Sequence, residues 1–222
     1  MTLDNPVWSA LTGRDAHLAV THGRAARYLV DVAPFAAVDD PADPLAWADL
    51  ANLLDGETAV LFGDVDAPAG WTAEPLVVGL QMLGGGVDAT TDPTAVPLGA
   101  QDVPKMLDLV RRTQPGPFLP RTFELGGYVG LRMEGRLVAM AGERFHPAGW
   151  TEISAVCTDP QLQGRGLAKR VVRSVVDGIR ASGSEAFLHV MTANTGAIGL
   201  YRAMGFEVRR EMPVTRVSCT SR

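Results

Sequence analysis

The run Gln163-Gly164-Arg165-Gly166-Leu167-Ala168 is the stretch of this chain best suited to chemistry, because it sets two glycines against the start of a helix. A helix N-terminus leaves its first N–H groups unpaired and carries about half a positive charge, so it favours an anion such as phosphate. Gly164 and Gly166 lack a Cβ where such a group must approach the backbone closely. Two nucleotide patterns are excluded at once. A P-loop needs Gly-Lys followed by Ser or Thr after a four-residue gap, and the turn has none. A dinucleotide fingerprint needs Gly or Ala at the sixth position from Gly164, which is Lys169. Other reactive side chains are sparse. Cys157 invites a nucleophile reading, but no His close in sequence activates it, and Cys219 lies at no metal or disulfide spacing from it. His17 and His22 have no Cys or second carboxylate at ligand spacing, which argues against a metal.

A strand before the turn and a helix after it must hold it in place. Residues 151–158 are rich in β-branched side chains and end at Asp159-Pro160. From Leu167 to about Ser182, Leu167, Val171, Val175 and Ile179 form one stripe, with Ala168, Val172 and Val176 beside it. Lys169, Arg170, Arg173, Asp177 and Arg180 take the other face, and Gly183 suits the C′ position. A strand over 186–191, a short helix over 194–204 and a last strand after Gly205-Phe206 follow. Upstream, Asp102 opens a helical pattern (Val103, Met106, Leu107, Val110) that the three prolines of 114–120 stop. Strands over 128–133 and 136–144 meet at Glu134-Gly135, a hairpin signal. Further back, a helix over 44–54 with Asp43 as N-cap precedes strands over 58–62 and 76–80. Gly84-Gly85-Gly86 and the proline-bearing stretch to Pro97 read as a connection. The expected organisation is a part of unknown role over 1–85, a linker over 86–95 and a second domain over 96–222.

At 222 residues and 46% apolar, the chain has ample material for a core, and disorder is excluded as its dominant state. No apolar run approaches the ~18–20 residues that span a bilayer, and no basic, apolar leader opens the chain, so a soluble cytoplasmic protein is expected. The net charge of −5 is unevenly shared: residues 1–95 hold three basic against 14 acidic side chains, and the remainder is net positive. With a net acidic chain and no basic stripe interleaved with aromatics, nucleic acid is not an expected partner. A small polyanion suits the positive part. The acidic part reads as solvated surface, as a repeller of anions or as an attractor of a cationic acceptor.

At the turn the sequence resembles the GNAT acyltransferase superfamily, whose signature is Gln or Arg, two residues, Gly, one residue, then Gly or Ala. Gln163, Gly166 and Ala168 satisfy it. Downstream, Asn194-Thr-Gly-Ala-Ile-Gly-Leu-Tyr-Arg-Ala-Met-Gly-Phe206 is similar to the family's Asn–Ala–Leu-Tyr–Gly-Phe segment. The resemblance covers residues 95–215. It implies an α/β fold with a mixed, mostly antiparallel sheet in which strands four and five splay apart. A smaller N-terminal α/β part precedes it, either a degenerate GNAT-like half or an added domain.

The resemblance also implies roles. Backbone amides of Gln163, Gly164, Arg165, Gly166, Leu167 and Ala168 would hold the pyrophosphate of coenzyme A. Val156, Cys157 and Thr158 would offer strand backbone to the pantetheine amides, with Asn194 and Ala197 along that arm. Tyr201 would protonate the leaving thiolate as general acid. Core packing for Tyr201 and helix capping for Asn194 are the plain alternatives. An amine acceptor is protonated at neutral pH, so attack needs a base or a water relay. Glu152 opens the fourth strand and shares its alternating face with Ser154, Val156 and Thr158; Glu143 ends the strand before. These two, a water chain and, as a lesser candidate, His146 are open. The implied activity is N-acyl transfer from acetyl-CoA to a primary amine, on a small molecule or peptide, by direct attack in a ternary complex and without a metal. The alternative is a non-catalytic acyl-CoA sensor or degenerate GNAT protein. The 114–120 loop is expected near the acceptor, and a homodimer is compatible with the sequence but not required by it.

Overall fold

A computed structural model describes residues 2–220. Its centre is the strand–turn–helix–strand unit expected around the glycine turn. β7 (Tyr128–Met133) and β8 (Arg136–Glu143) form a hairpin whose turn residues Glu134 and Gly135 both have positive φ, the geometry of a tight two-residue turn. β9 (Trp150–Thr158) runs antiparallel to β8, α4 (Leu167–Ala181) crosses one face, and β10 (Glu185–Met191) returns parallel to β9. The apolar stripe of α4 (Leu167, Val171, Val172, Val175, Val176, Ile179) packs with Ile153, Leu188 and Val138 in the largest core cluster. α5 (Thr195–Ala203) joins that face through Ile198 and Tyr201.

The remaining elements complete the sheet in an order that sequence neighbours do not predict. The eight strands lie β4-β11-β5-β10-β9-β8-β7-β6, with β4 (Thr58–Phe62), β5 (Trp71–Leu83), β6 (Val96–Leu98) and β11 (Glu207–Cys219). β5 therefore sits between β10 and β11, antiparallel to both. The expected linker, 86–95, contains neither helix nor strand, yet the sheet is continuous across it. That stretch is strapped along α4: Asp88 pairs with Arg173, Asp92 with Arg170, and Arg180 donates to the carbonyls of Val87, Gly84 and Gly85. Residues 1–85 thus supply β4 and β5 to the same sheet as residues 96–222.

The opposite face has two covers. α3 (Val103–Thr113) packs Met106 and Leu109 against Tyr128, Met140, Ala155 and Cys157. α1 (Pro6–Leu11) and a small sheet of β1 (Ala19–His22), β2 (Ala25–Tyr28) and β3 (Ala36–Val38) pack Leu3, Val7, Leu11, Tyr28 and Phe35 with Phe145 and Phe187. α2 (Pro44–Leu54), capped by Asp43 as expected, closes over Leu61 and Val217 at the β4 edge. No helix among the described residues is long and apolar enough to cross a membrane.

Candidate active site

β9 and β10 are partners for only part of their length. Their pairing runs from Trp150–Glu185 to Ile153–Leu188 and stops. The cause lies on the other edge of β9. Between Gly142–Ser154 and Met140–Cys157 the β8 ladder skips one residue, and Ala155 has φ +52, so β9 carries a bulge. The bulge breaks the expected common face of Glu152, Ser154, Val156 and Thr158. Val156 packs with Ile153 on the α4 side, whereas Ala155 and Cys157 face α3. From Ser154 onward the β10-facing edge of β9 has no partner strand among the described residues, and the Thr158 hydroxyl is buried there without a hydrogen bond.

The glycine turn lies just beyond this opening. Asp159 caps the short turn after β9 by accepting from the Gln161 N–H, and Gly164 and Gly166 both adopt left-handed backbone (φ +76 and +74). A Cβ on either would meet nothing within 4 Å, so the positive φ, not crowding, calls for glycine. Gly166 is the N-cap of α4 and no side chain caps the helix, which leaves the N–H groups of Leu167, Ala168 and Lys169 without intrahelical partners. Residues 163–166 are exposed. Such unpaired N–H groups at a helix start favour an anion.

Asn194 and Tyr201 belong to α5, the helix that follows β10. The Asn194 side chain accepts from the Ala197 N–H at 3.1 Å, so it does cap its helix. Tyr201 is buried in the core, edge-on to Phe206 at 5.6 Å. Burial, helped by the Cys157 thiol, pushes its phenol well above the ordinary range, so it keeps its proton at neutral pH. Burial likewise pushes the Cys157 thiol up to about 11 despite its contact with Thr113. A protonated, enclosed thiol is a poor nucleophile.

The two candidate carboxylates separate sharply. Glu152 is fully buried; Arg144 donates to its Oε2 at 2.7 Å and its Oε1 at 2.6 Å, and His189 Nδ1 lies 2.7 Å from Oε1. Burial alone would push this carboxyl up, but Arg144 and His189 override it and hold it at about 2. Arg144 in turn lies over the rings of Phe35, Phe62 and Phe145. Gln81 continues the chain: its Oε1 accepts from Arg209, its Nε2 donates to Leu3 O, and that Nε2 faces His189 Nε2 at 3.1 Å. The amide is thus oriented twice over, so His189 accepts from Gln81 and donates to Glu152. Glu152 is thus a buried anion whose two oxygens are both engaged, by Arg144 and His189. Glu143, opposite Ile153 at the last β9 position paired with β10, is only part-buried. Its Oε2 meets His146, and among the described residues its Oε1 has no hydrogen-bond partner.

Several parts of this site carry no sequence signal: the bulge at an alanine, the Arg144 and His189 partners of Glu152, and Tyr128. The Tyr128 hydroxyl is fully buried and unpartnered, with Phe118 of the 114–120 loop edge-on to its ring at 5.6 Å. A surface depression of about 530 Å³ lined by Leu83, Trp150, Arg180, Glu185 and Glu207 lies at the far ends of β9 and β10, away from the turn.

A parallel strand pair that opens at one end thus lies beside a helix N-terminus without a side-chain cap. Residues 128–214 match the FR47-like protein family. Over its whole length the chain is 40% identical, with a TM-score of 0.90, to all of a solved GNAT-family protein assigned as an acetyltransferase from Novosphingobium aromaticivorans. The chain belongs to the GNAT family. It is also 39% identical over 84 residues to N-alpha-acetyltransferase RimI of Mycobacterium tuberculosis, a match covering 36% of this chain and 51% of that protein. Against the mycothiol acetyltransferase of Saccharomonospora viridis it is 33% identical over 91 residues, 37% of this chain and 30% of that one. The chain thus spans about half, or less, of these curated relatives. A GCN5-related N-acetyltransferase from Kribbella flavida shares the fold at 17% identity (TM-score 0.63, 97% and 96% covered).

Proposed function

We propose that this protein is an acyl-CoA-dependent N-acyltransferase that moves acetyl from acetyl-CoA to a primary amine by direct attack in a ternary complex. The observation that carries this reading is the parting of β9 from β10 after Ile153–Leu188, directly below a turn with free backbone amides. Amides from Gln163 to Ala168 would hold the pyrophosphate, and β9 backbone at Val156, Cys157 and Thr158 would pair with the pantetheine amides. Asn194 and Ala197 would flank that arm. Tyr201, protonated at neutral pH, would give its proton to the departing thiolate sulfur. Of the carboxylates, Glu143 is the one with a free oxygen to take the ammonium proton.

Calorimetry with coenzyme A, followed by acetyl-transfer assays over a panel of amines, tests the proposal. Binding and turnover are expected, with a thermal shift that follows CoA concentration. No heat and no shift at millimolar CoA would remove the reading.

A further inference from the structure

Glu143 is the outer end of a buried chain of groups that begins in the N-terminal part. Its Oε2 lies 3.0 Å from His146 Nε2, and His146 Nδ1 lies 2.7 Å from Asp15 Oδ1. Asp15 is itself fixed: its Oδ2 accepts from the Tyr28 hydroxyl at 2.6 Å and from the His146 backbone N–H at 3.4 Å. The side chains of Asp15 and His146 are each 2% exposed, whereas Glu143 is 13% exposed. A dry pair from residues 1–85 and the β8–β9 loop therefore ends in a carboxylate that reaches solvent.

The hydrogen-bond roles follow from the donor inventory. Both partners of the imidazole are carboxylates, so both ring nitrogens donate and the ring is an imidazolium. Burial lowers the proton affinity of His146, as does nearby Arg14, but the bonds to Asp15 and Glu143 and the charge of Asp15 outweigh them and raise it. The charged and titratable groups around the pair are Asp15 and Tyr28 from the N-terminal part, Arg14 at 4.0 Å from Glu143 Oε2, and Tyr128 on the neighbouring strand. The backbone makes room for Glu143 as well, since a Cβ at Gly126 would lie 2.5 Å from Glu143 Oε2.

We infer that Asp15 and His146 are positioning residues for Glu143, holding its carboxylate by Oε2 so that Oε1 is presented to the acceptor ammonium. This rests on the N-acyltransferase reading and gives residues 1–85 a part in the reaction. The proton balance closes. Glu143 Oε1 takes one proton from the ammonium, and the freed lone pair forms the C–N bond at the thioester carbonyl. The C–S bond breaks, and the sulfur receives the Tyr201 proton. The nitrogen's remaining excess proton restores the phenol, and Glu143 returns its proton to water, so one proton is released per turnover.

The test is a double-mutant cycle read in kcat, with CoA affinity as control. Glu143→Gln should lower kcat about 10²–10⁴-fold. His146→Gln should lower it about 10–100-fold with CoA affinity unchanged, and should cost nothing further when added to Glu143→Gln. In the wild type, loss of the His146 proton at high pH breaks the bond to Oε2, so kcat falls on the alkaline side, and that limb should vanish in His146→Gln. Unchanged kcat in His146→Gln, or a full multiplicative loss in the double variant, would overturn the inference. Should His146→Gln not fold, Asp15→Asn replaces it in the cycle, and nitrogen NMR of the wild-type imidazole must show both nitrogens protonated at pH 7; one bare nitrogen also overturns it. Failure of the wild type to acylate any amine takes down the N-acyltransferase reading and this role with it, whereas independent losses in an active enzyme take down this role alone.

Discussion

The two halves of β9 perform opposite tasks. Up to Ile153 the strand is paired with β10 on one edge, and its other edge is bonded at Glu152 to the backbone of Arg144 and Phe145. The Glu152 side chain is bound to Arg144 and His189 in a dry polar network. Above the Ala155 bulge one edge is open, and the nearby groups are an unpartnered hydroxyl and uncapped helix amides. A single inserted residue divides a clamp from a cleft. The lower half has its carboxylate engaged, and the upper half keeps an open edge, the one to which the proposed function assigns the donor.

The largest way to break this contrast is to remove what pins the lower half from outside. A chain of residues 96–222 lacks β5, so β10 and β11 lose the strand between them. It should show no cooperative thermal unfolding, and a cooperative transition by circular dichroism would contradict the shared sheet. Next in size is Tyr201→Phe, which keeps the ring and removes the proposed acid. It should lower kcat about 10²–10⁴-fold while leaving CoA affinity and melting near normal, measured by steady-state kinetics and calorimetry. Normal turnover would return Tyr201 to a packing role.

Glu152→Ala attacks the clamp instead. It strands the Arg144 charge among Phe35, Phe62 and Phe145 and should cost about 3–5 kcal/mol in urea unfolding. The same carboxylate sets an acid limit. Its folded value, about 2, lies below its value in an unfolded chain, so its contribution is present above pH ~4.3 and is lost as pH falls toward 2. Glu152→Gln should flatten that acid limb, and an unchanged limb would assign it to other carboxylates. The smallest expected effect is Gly166→Ala, which forces a side chain into left-handed backbone at a cost of about 1–2 kcal/mol. CoA affinity should weaken about tenfold through a distorted turn, read by calorimetry, whereas full affinity would place the pyrophosphate elsewhere.

What was legible in the sequence was local. The stripe of α4, the Asp43 cap of α2 and the Glu134-Gly135 turn are short-range patterns, and all three stand where the spacing put them. The glycine turn ahead of α4 is readable for the same reason, since its residues are consecutive and its glycines take positive φ. β1, β2 and β3 are three or four residues long and rich in alanine, too short for any period to register. The bulge was hidden because alanine has no preference for positive φ. The polar networks were hidden because their partners are brought together only by the sheet, as with Asp15 and His146, or Glu152 and His189.

The placement of β5 also dictates when the molecule can be finished. Residues 71–83 emerge early in synthesis, yet both strands that flank them, β10 and β11, come from the far side of the helix that crosses the sheet. Until β11 is made, β5 is paired only over residues 79–83, with β10, and the rest of the long strand offers bare backbone donors and acceptors to other chains. Contacts so distant in sequence also slow the search for the native state. A nascent chain that stalls before β11 is therefore an unclosed sheet, its β4 and β5 edges exposed to aggregation and proteolysis until that gap is filled.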